Sequence, residues 1–137
     1  MKLEIEVLGD PAPQGSKRVF NGRVVEAAGE KLKRWRKAIA AACVAARENN
    51  DVFFTGPVEV QVTFYLPRPK TVTLEKRLLP IVPPDLDKLA RGLLDGIGQS
   101  EMIWGDDSQV IHLNAKKFYA DGLSLIHISE PTRLLSI

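Results

Sequence analysis

Apolar and polar side chains alternate in three segments of the chain, and this two-residue period predicts β-strands. The three segments are Leu3–Val7, Val58–Leu66 and Ile111–Lys116. An Asn-Gly pair, Asn21 and Gly22, lies between two short β-prone stretches and predicts a tight hairpin. The pattern therefore predicts a small mixed β-sheet of about four strands.

Apolar residues recur every three or four positions in two other segments, which is the period of an amphipathic helix. The segments are Glu30–Asn49 and Asp85–Ile97, and we expect Gly98 to end the second. Pro67–Pro84 is rich in proline and shows no period, which predicts a long, mobile connection. The predicted fold class is α+β, with the sheet packed against two main helices.

Length and composition indicate one globular domain. The chain has 137 residues, 45% hydrophobic and 26% charged. No apolar run approaches the roughly 20 residues that span a bilayer, and the N-terminus does not resemble a signal peptide, so we expect a cytoplasmic protein without a membrane partner. The single Cys43 and the two histidines, His112 and His127, are too few for a disulfide or a usual zinc site. Any bound metal should therefore be a hard cation.

Charges of the two signs occupy different segments, although the net charge is only +2. Basic residues crowd the hairpin, the start of the first helix and the proline-rich connection, which suits contact with a polyanion. An ordinary solvated surface explains any single one of these residues equally well. Our candidates for DNA contact are Lys17, Arg18, Arg23, Lys31, Arg34, Lys70, Lys76, Arg77 and Lys88.

Two acidic pairs, Asp85 with Asp87 and Asp106 with Asp107, are the candidate chemistry. The prolines at 83 and 84 place Asp85 at the helix cap and Asp87 in the first turn, so both carboxylates can converge. If the next strand begins beside the start of this helix, the second pair joins them and forms a site that suits Mg²⁺. For either pair alone, helix capping and turn formation are the simpler interpretation.

The segments around both pairs resemble the RusA family of Holliday junction resolvases. The resemblance rests on Pro84–Leu89 with Arg91, on Leu94-Asp95 and on Trp104–Val110, and more weakly on Pro11–Arg18. It implies a cytoplasmic, often prophage-borne homodimer that nicks four-way DNA junctions with Mg²⁺, or with Mn²⁺ as a substitute, and needs no protein cofactor.

The resemblance also implies roles for individual residues. It makes Asp85, Asp87 and Asp107 catalytic metal ligands and leaves Asp106 as a further candidate ligand. Arg91 stands where the family has its catalytic basic residue, and we assign it to phosphate contact because a guanidinium does not give up its proton.

Two other functions remain open at this stage. One is a non-catalytic nucleic-acid binding protein whose aspartates only cap and turn, and the other is a Mg²⁺ phosphoesterase acting on small nucleotides. The leading hypothesis is a structure-selective endonuclease of DNA recombination and repair.

The C-terminal segment Leu123–Arg133, LSLIHISEPTR, looks like the in-frame translation of a transposase-type sequencing adaptor. We therefore expect a domain over residues 1–122, truncated before its last strand, and a non-native tail over 123–137. The alternative is a genuine final strand, because Leu123–Ile128 is apolar enough to pair. His127 should carry no chemistry on either interpretation.

Overall fold

The computed structural model describes residues 1–14, 17–20, 23–26 and 29–131, with the backbone alone for 17–20 and 23–26. Its elements follow the chain in this order: β1 (Lys2–Leu8), β2 (Lys17–Phe20), β3 (Arg23–Glu26), α1 (Gly29–Asn50), β4 (Val58–Leu66), α2 (Leu86–Ser100), a 3₁₀ turn (Asp107–Gln109), β5 (Val110–Tyr119) and β6 (Leu123–Ser129).

Four strands form one mixed sheet in the order β1-β6-β4-β5. β6 is antiparallel to both β1 and β4, whereas β5 runs parallel to β4 along the sheet edge. β2 and β3 form a separate antiparallel hairpin. Two helices with a four-stranded mixed sheet confirm the predicted α+β class.

Both helices pack on one face of the sheet, where the alternating strands direct their apolar side chains. Val60, Val62 and Phe64 of β4 are buried there, together with equivalent residues of β1 and β6. The helices contribute the stripes that the three-to-four spacing predicts: Trp35, Ile39 and Cys43 from α1, and Leu89, Leu93 and Ile97 from α2. Burial raises the pKa of the Cys43 thiol to about 11, so it stays protonated at neutral pH.

Most predicted elements are confirmed, with the bounds of β4 reproduced and those of β1 and α1 within one residue at each end. The hairpin is confirmed by the pairing of Phe20 with Arg23, although Asn21 and Gly22 lie outside the described residues. The prediction for the end of α2 is wrong. This helix continues through Gly98 to Ser100, and Glu101 takes the left-handed conformation at its C-terminus.

The segment Leu123–Ser129, expected to belong to a tail, forms strand β6 in the middle of the sheet. It pairs with β1 on one side and β4 on the other, and its Ser124, Ile126 and Ile128 are fully buried. The alternative interpretation, a final strand, therefore describes its place in the fold. Residues 132–137 are not among those that the structure describes.

The connection between β4 and α2 has no helix or strand, as predicted, but it is tied together by one side chain. The Arg68 guanidinium donates to the carbonyls of Thr73, Arg77 and Leu78 and lies 4.3 Å from the centre of the Tyr119 ring. Within the described ranges, no helix is both long enough and apolar enough to cross a membrane.

Candidate active site

The start of α2 places the first acidic pair at the protein surface. Asp85 is the N-cap with extended backbone angles, as the two preceding prolines predict, and the helix begins at Leu86. The Asp85 carboxylate accepts no capping hydrogen bond, and both Asp85 and Asp87 are exposed. Capping by the side chain therefore does not account for Asp85, which leaves both carboxylates accessible to a ligand.

A lysine from β5 fixes the chain just before this helix. The Lys117 Nζ donates to the carbonyl oxygens of Val82, at 3.0 Å, and Pro84, at 2.8 Å. Sequence reasoning missed Lys117, because the contact exists only once β5 has paired with β4. Its ammonium group therefore fixes the backbone immediately before Asp85 and so helps to position Asp85.

Asp106 has a structural role at the turn before β5. Its carboxylate accepts a 2.8 Å hydrogen bond from the Ser108 backbone N–H, and the Gln109 side chain accepts from the Asp106 N–H at 2.9 Å, which completes a capping box. The hydrogen bond from the Ser108 N–H holds the pKa of Asp106 below its usual value. Capping thus accounts for Asp106 fully, as the simpler interpretation has it.

Asp107 is held from several sides beside the second half of α2. Its Oδ1 accepts a 2.9 Å hydrogen bond from the Trp104 indole, and a Cβ added at Gly98 would lie only 2.3 Å from the same oxygen. Burial, followed by a hydrogen bond with Asp95 and the negative charge of that residue, raises the pKa of Asp107, whereas the Trp104 indole lowers it. Gly98 is therefore needed for this close approach and not for ending the helix.

Asp95 and its neighbours are site residues that sequence reasoning did not select. The Gln14 amide donates to Asp95 Oδ2, and an Arg36 guanidinium nitrogen lies 3.8 Å from the same oxygen. Arg36 also donates to Gln99 at 2.6 Å. Asp95 and Gln14 lie in two of the segments that resemble the family, which was the available signal. Arg36 was visible only as one of several cations on α1.

The two acidic pairs were expected to converge if the strand after α2 began beside the start of that helix, and this condition is not met. Asp107 lies against Asp95 and Gly98, and Asp87 is eight residues before Asp95, or about 12 Å along the helix axis. The reason is the direction of α2: its second half adjoins the start of β5, and its first residues adjoin Lys117 near the end of β5. In the part of the chain that the structure describes, no three His, Cys, Asp or Glu side chains form a possible metal site.

The carboxylates fit a hard cation in chemistry but not as a single preformed ligand set. All four side chains offer carboxylate oxygens, and Mg²⁺ prefers oxygen ligands. They are distributed along one side of α2, with Asp85 and Asp87 at its start and Asp107 beside Asp95 further along. We call these four residues the acidic face.

The predicted basic residues have different surroundings. Lys31 and Arg34 on α1 and Lys70 and Lys76 on the connection are exposed, whereas Arg77 donates to the Tyr119 hydroxyl at 2.8 Å and Lys88 is partly buried. Arg91 is exposed, and no other described residue forms an ion pair with it. The side chains of Lys17, Arg18 and Arg23 lie outside the structural description.

Comparisons with known proteins place this chain among its relatives. The curated "Uncharacterized protein YqaN" of Bacillus subtilis (strain 168) is 32% identical over 130 residues, which cover 87% of this chain and 89% of that protein. The solved structure of the bifunctional IspDF from Campylobacter jejuni covers 93% of this chain at 8% identity and a TM-score of 0.26, and the chain spans 41% of its length.

A family model described as "Endodeoxyribonuclease RusA" matches residues 9–129, a range that contains the whole acidic face and extends through β6. The chain therefore belongs to the endodeoxyribonuclease RusA family, a family of nucleases that act on Holliday junction DNA.

Proposed function

We propose that this protein is a Mg²⁺-dependent endonuclease that resolves four-way DNA junctions by paired symmetric nicks in recombination and repair, with Mn²⁺ as a possible substitute. The observation that carries the proposal is the pair Asp85 and Asp87, exposed at the start of α2 and without a capping hydrogen bond. Membership of a family of DNA endonucleases supports the same class of reaction.

The geometry of the acidic face supports roles for its residues. Mg²⁺ usually takes one or two protein carboxylates together with water and phosphate oxygens, so Asp85 and Asp87 are sufficient to begin such a site. A bound Mg²⁺ supplies Lewis-acid activation of water and of the phosphodiester. Arg91, one turn after Asp87, is exposed and suited to contact a phosphate, and Asp107 is the third acid that we assign to the reaction.

The exposure of Asp85 and Asp87 favours a polymer over a small nucleotide as the substrate. Small substrates are usually bound in concave pockets that bury most of their surface, whereas Asp85 and Asp87 are on an open surface. Exposed cations on α1 (Lys31 and Arg34) and on the connection (Lys70 and Lys76) can neutralise backbone phosphates. Branched DNA is therefore the preferred substrate class over the phosphoesterase alternative.

We also propose that the active form is a homodimer. β5 forms one edge of the sheet and leaves Ile111, Leu113 and Phe118 between 38% and 50% exposed. An exposed edge strand with apolar side chains favours association with another chain. A two-fold dimer would present two acidic faces to the two strands that are nicked in a junction.

The decisive experiment is the D87N substitution, tested with a labelled four-way junction in Mg²⁺ and in EDTA. We expect cleavage to fall by more than about 100-fold, the upper end of what loss of a metal site's outer partners costs, because one of two exposed ligands is removed. Junction binding, measured by gel shift in EDTA, should be unchanged or tighter, since the substitution removes a negative charge facing the phosphates.

D106N is the matched control, because Asp106 is also exposed but caps a turn, and asparagine can cap equally well. It should retain cleavage. Unchanged cleavage by D87N, or symmetric nicking by the wild-type chain in EDTA, would contradict the proposed metal site.

A further inference from the structure

The side chain of Gln109, at the end of the 3₁₀ turn, uses all of its hydrogen-bonding capacity. Its Oε1 accepts from the backbone N–H groups of Gly105 and Asp106, both at 2.9 Å. Its Nε2 donates to the carbonyl oxygens of Phe54 and Gly56, again at 2.9 Å. A glutamine amide offers two donors and two acceptor sites, so this side chain is fully occupied. It therefore joins the turn before β5 to the segment before β4.

Hydrogen-bond satisfaction alone does not require this connection. Gly56, Gly105 and Asp106 are exposed, and water can pair with an exposed backbone group. The capping box of the turn needs only the bond that Gln109 accepts from the Asp106 N–H. The other three bonds fix the distance between two segments of the chain, and such fixing is typical of side chains that support a functional group.

The carboxylate of Asp107 is held by neighbours that depend on the same two segments. The Trp104 indole donates to Asp107 Oδ1 at 2.9 Å, and a Cβ at Gly98 would collide with that oxygen. Trp104 is fully buried and forms a parallel β-bridge with Phe54, whose N–H donates to the Ile103 carbonyl at 2.8 Å. The segment before β4 thus holds the tryptophan through its backbone and the turn through the glutamine.

We propose that Gln109 is a positioning residue for the cleavage reaction: it fixes the 3₁₀ turn against the segment before β4, so that the Asp107 carboxylate keeps one orientation between Trp104 and α2. This inference rests on the proposed function in assigning Asp107 to the reaction. Gln109 does not need to contact DNA or a cation, because its amide has no donor or acceptor left for one.

The test is Q109M, which keeps the length of the side chain and removes all four hydrogen bonds. We expect this variant to cleave a labelled four-way junction in Mg²⁺ about 10- to 100-fold more slowly, the usual cost of losing a residue that orients a metal ligand. Junction binding, measured by gel shift in EDTA, should be unchanged because no charge is altered. Q109N, whose shorter side chain cannot reach both segments, should give the same result if Q109M does not fold.

A second measurement follows Asp107 without metal or activity. The chain has two tryptophans, and their indole N–H signals in a ¹H–¹⁵N spectrum recorded in EDTA report on two different environments. The Trp104 N–H donates to Asp107, whereas the buried Trp35 N–H has no partner in the described part of the chain and serves as an internal reference. D107A removes the acceptor and defines the shift for complete loss of the contact. Q109M should move the Trp104 signal in the same direction and leave that of Trp35 in place.

S124A is the structural control. The fully buried Ser124 hydroxyl accepts a 3.3 Å hydrogen bond from the Tyr65 N–H within the sheet. S124A should lower the melting temperature but change neither the Trp104 signal nor the cleavage rate, because β4 lies between β6 and the strand that follows the turn. Q109M would behave in the same way if Gln109 only stabilised the fold.

Three results would overturn the inference: a Trp104 signal that stays at its wild-type position in Q109M, equal cleavage by Q109M and wild type, or a loss of cleavage in S124A as large as in Q109M, which would make fold stability the cause. If the wild-type chain cleaves no junction in Mg²⁺ or Mn²⁺, the proposed function fails. The indole signals then still decide whether Gln109 holds Asp107 in place.

Discussion

Two consecutive aspartates, Asp106 and Asp107, acquire opposite properties from a single turn. Asp106 is fully exposed and accepts a hydrogen bond from the Ser108 N–H, which lowers its pKa. Asp107 enters the 3₁₀ turn facing α2, where burial and the neighbouring Asp95 raise its pKa. The negative charge of Asp106 therefore stabilises the folded protein, whereas the negative charge of Asp107 destabilises it.

This difference predicts that D107N makes the protein more stable at neutral pH while abolishing cleavage. A carboxyl whose pKa is raised on folding contributes its stability below the unfolded value and loses it as the pH rises through the folded value. At neutral pH the wild-type chain has lost that contribution, and asparagine removes the charge while keeping an acceptor for Trp104. Melting temperatures in EDTA, recorded from neutral pH to below 3.8, the ordinary value of this carboxyl, should show the gain of D107N shrinking on acidification.

For D106N we expect no gain in melting temperature at neutral pH, in contrast to D107N. Because the pKa of Asp106 is lowered, its charge contributes stability at neutral pH that is lost on acidification, so D106N should gain nothing there. A D107N protein that melts below wild type at neutral pH would show that the Asp107 charge is compensated in the fold.

At the scale of elements, periodicity predicted the elements but not their relative directions. The prolines before Asp85 have a local effect, so the N-cap was predictable from sequence. The direction of α2 along β5 depends on tertiary packing, and for that reason the pairing of Asp107 with Asp95 instead of Asp87 could not be predicted. Gly98 illustrates the same limit, because a glycine near a helix end predicts a stop, while its use here is a close approach from another element.

The contact between Lys117 and the connection predicts that β5 controls the position of Asp85. K117M should lower the cleavage rate by about 10-fold or more, within the 100-fold that a misplacement of about 1 Å can cost. The unfolding free energy should fall by only about 1 kcal/mol, because water can replace the ammonium at these partly exposed carbonyls. Urea unfolding and junction cleavage measure the two effects separately.

Lys116 provides the comparison, since it is adjacent on β5, exposed and of the same charge. K116M removes an equal charge from the protein without touching the connection. If the two variants lose cleavage equally, the loss reflects electrostatic attraction of DNA, and Lys117 has no positioning role.

At the scale of the whole molecule, the sheet depends on β6. Its sequence was expected to belong to a non-native tail and not to the domain. Composition predicted one domain and alternation predicted β1, β4 and β5, but neither indicates which strand lies between which. β6 is the neighbour of both β1 and β4, so it connects the N-terminal strand to the strands that carry the Lys117 contact. Its alternating apolar residues are sufficient for this position, whatever their origin.

The central place of β6 predicts a large difference between two adjacent side chains on opposite faces of the sheet. Ile126 is fully buried against the helices, so I126A should lower the unfolding free energy by about 2–5 kcal/mol. His127 is exposed and has only a 3.8 Å contact with the exposed Glu4, so H127A should change it by less than about 0.5 kcal/mol. Urea unfolding of both variants measures this difference.

Truncation after residue 122 should abolish the cooperative unfolding transition, because β1 would then have no strand partner in the described sheet. A cooperative transition in the truncated chain, or equal effects of I126A and H127A, would mean that residues 1–122 complete the sheet by another pairing.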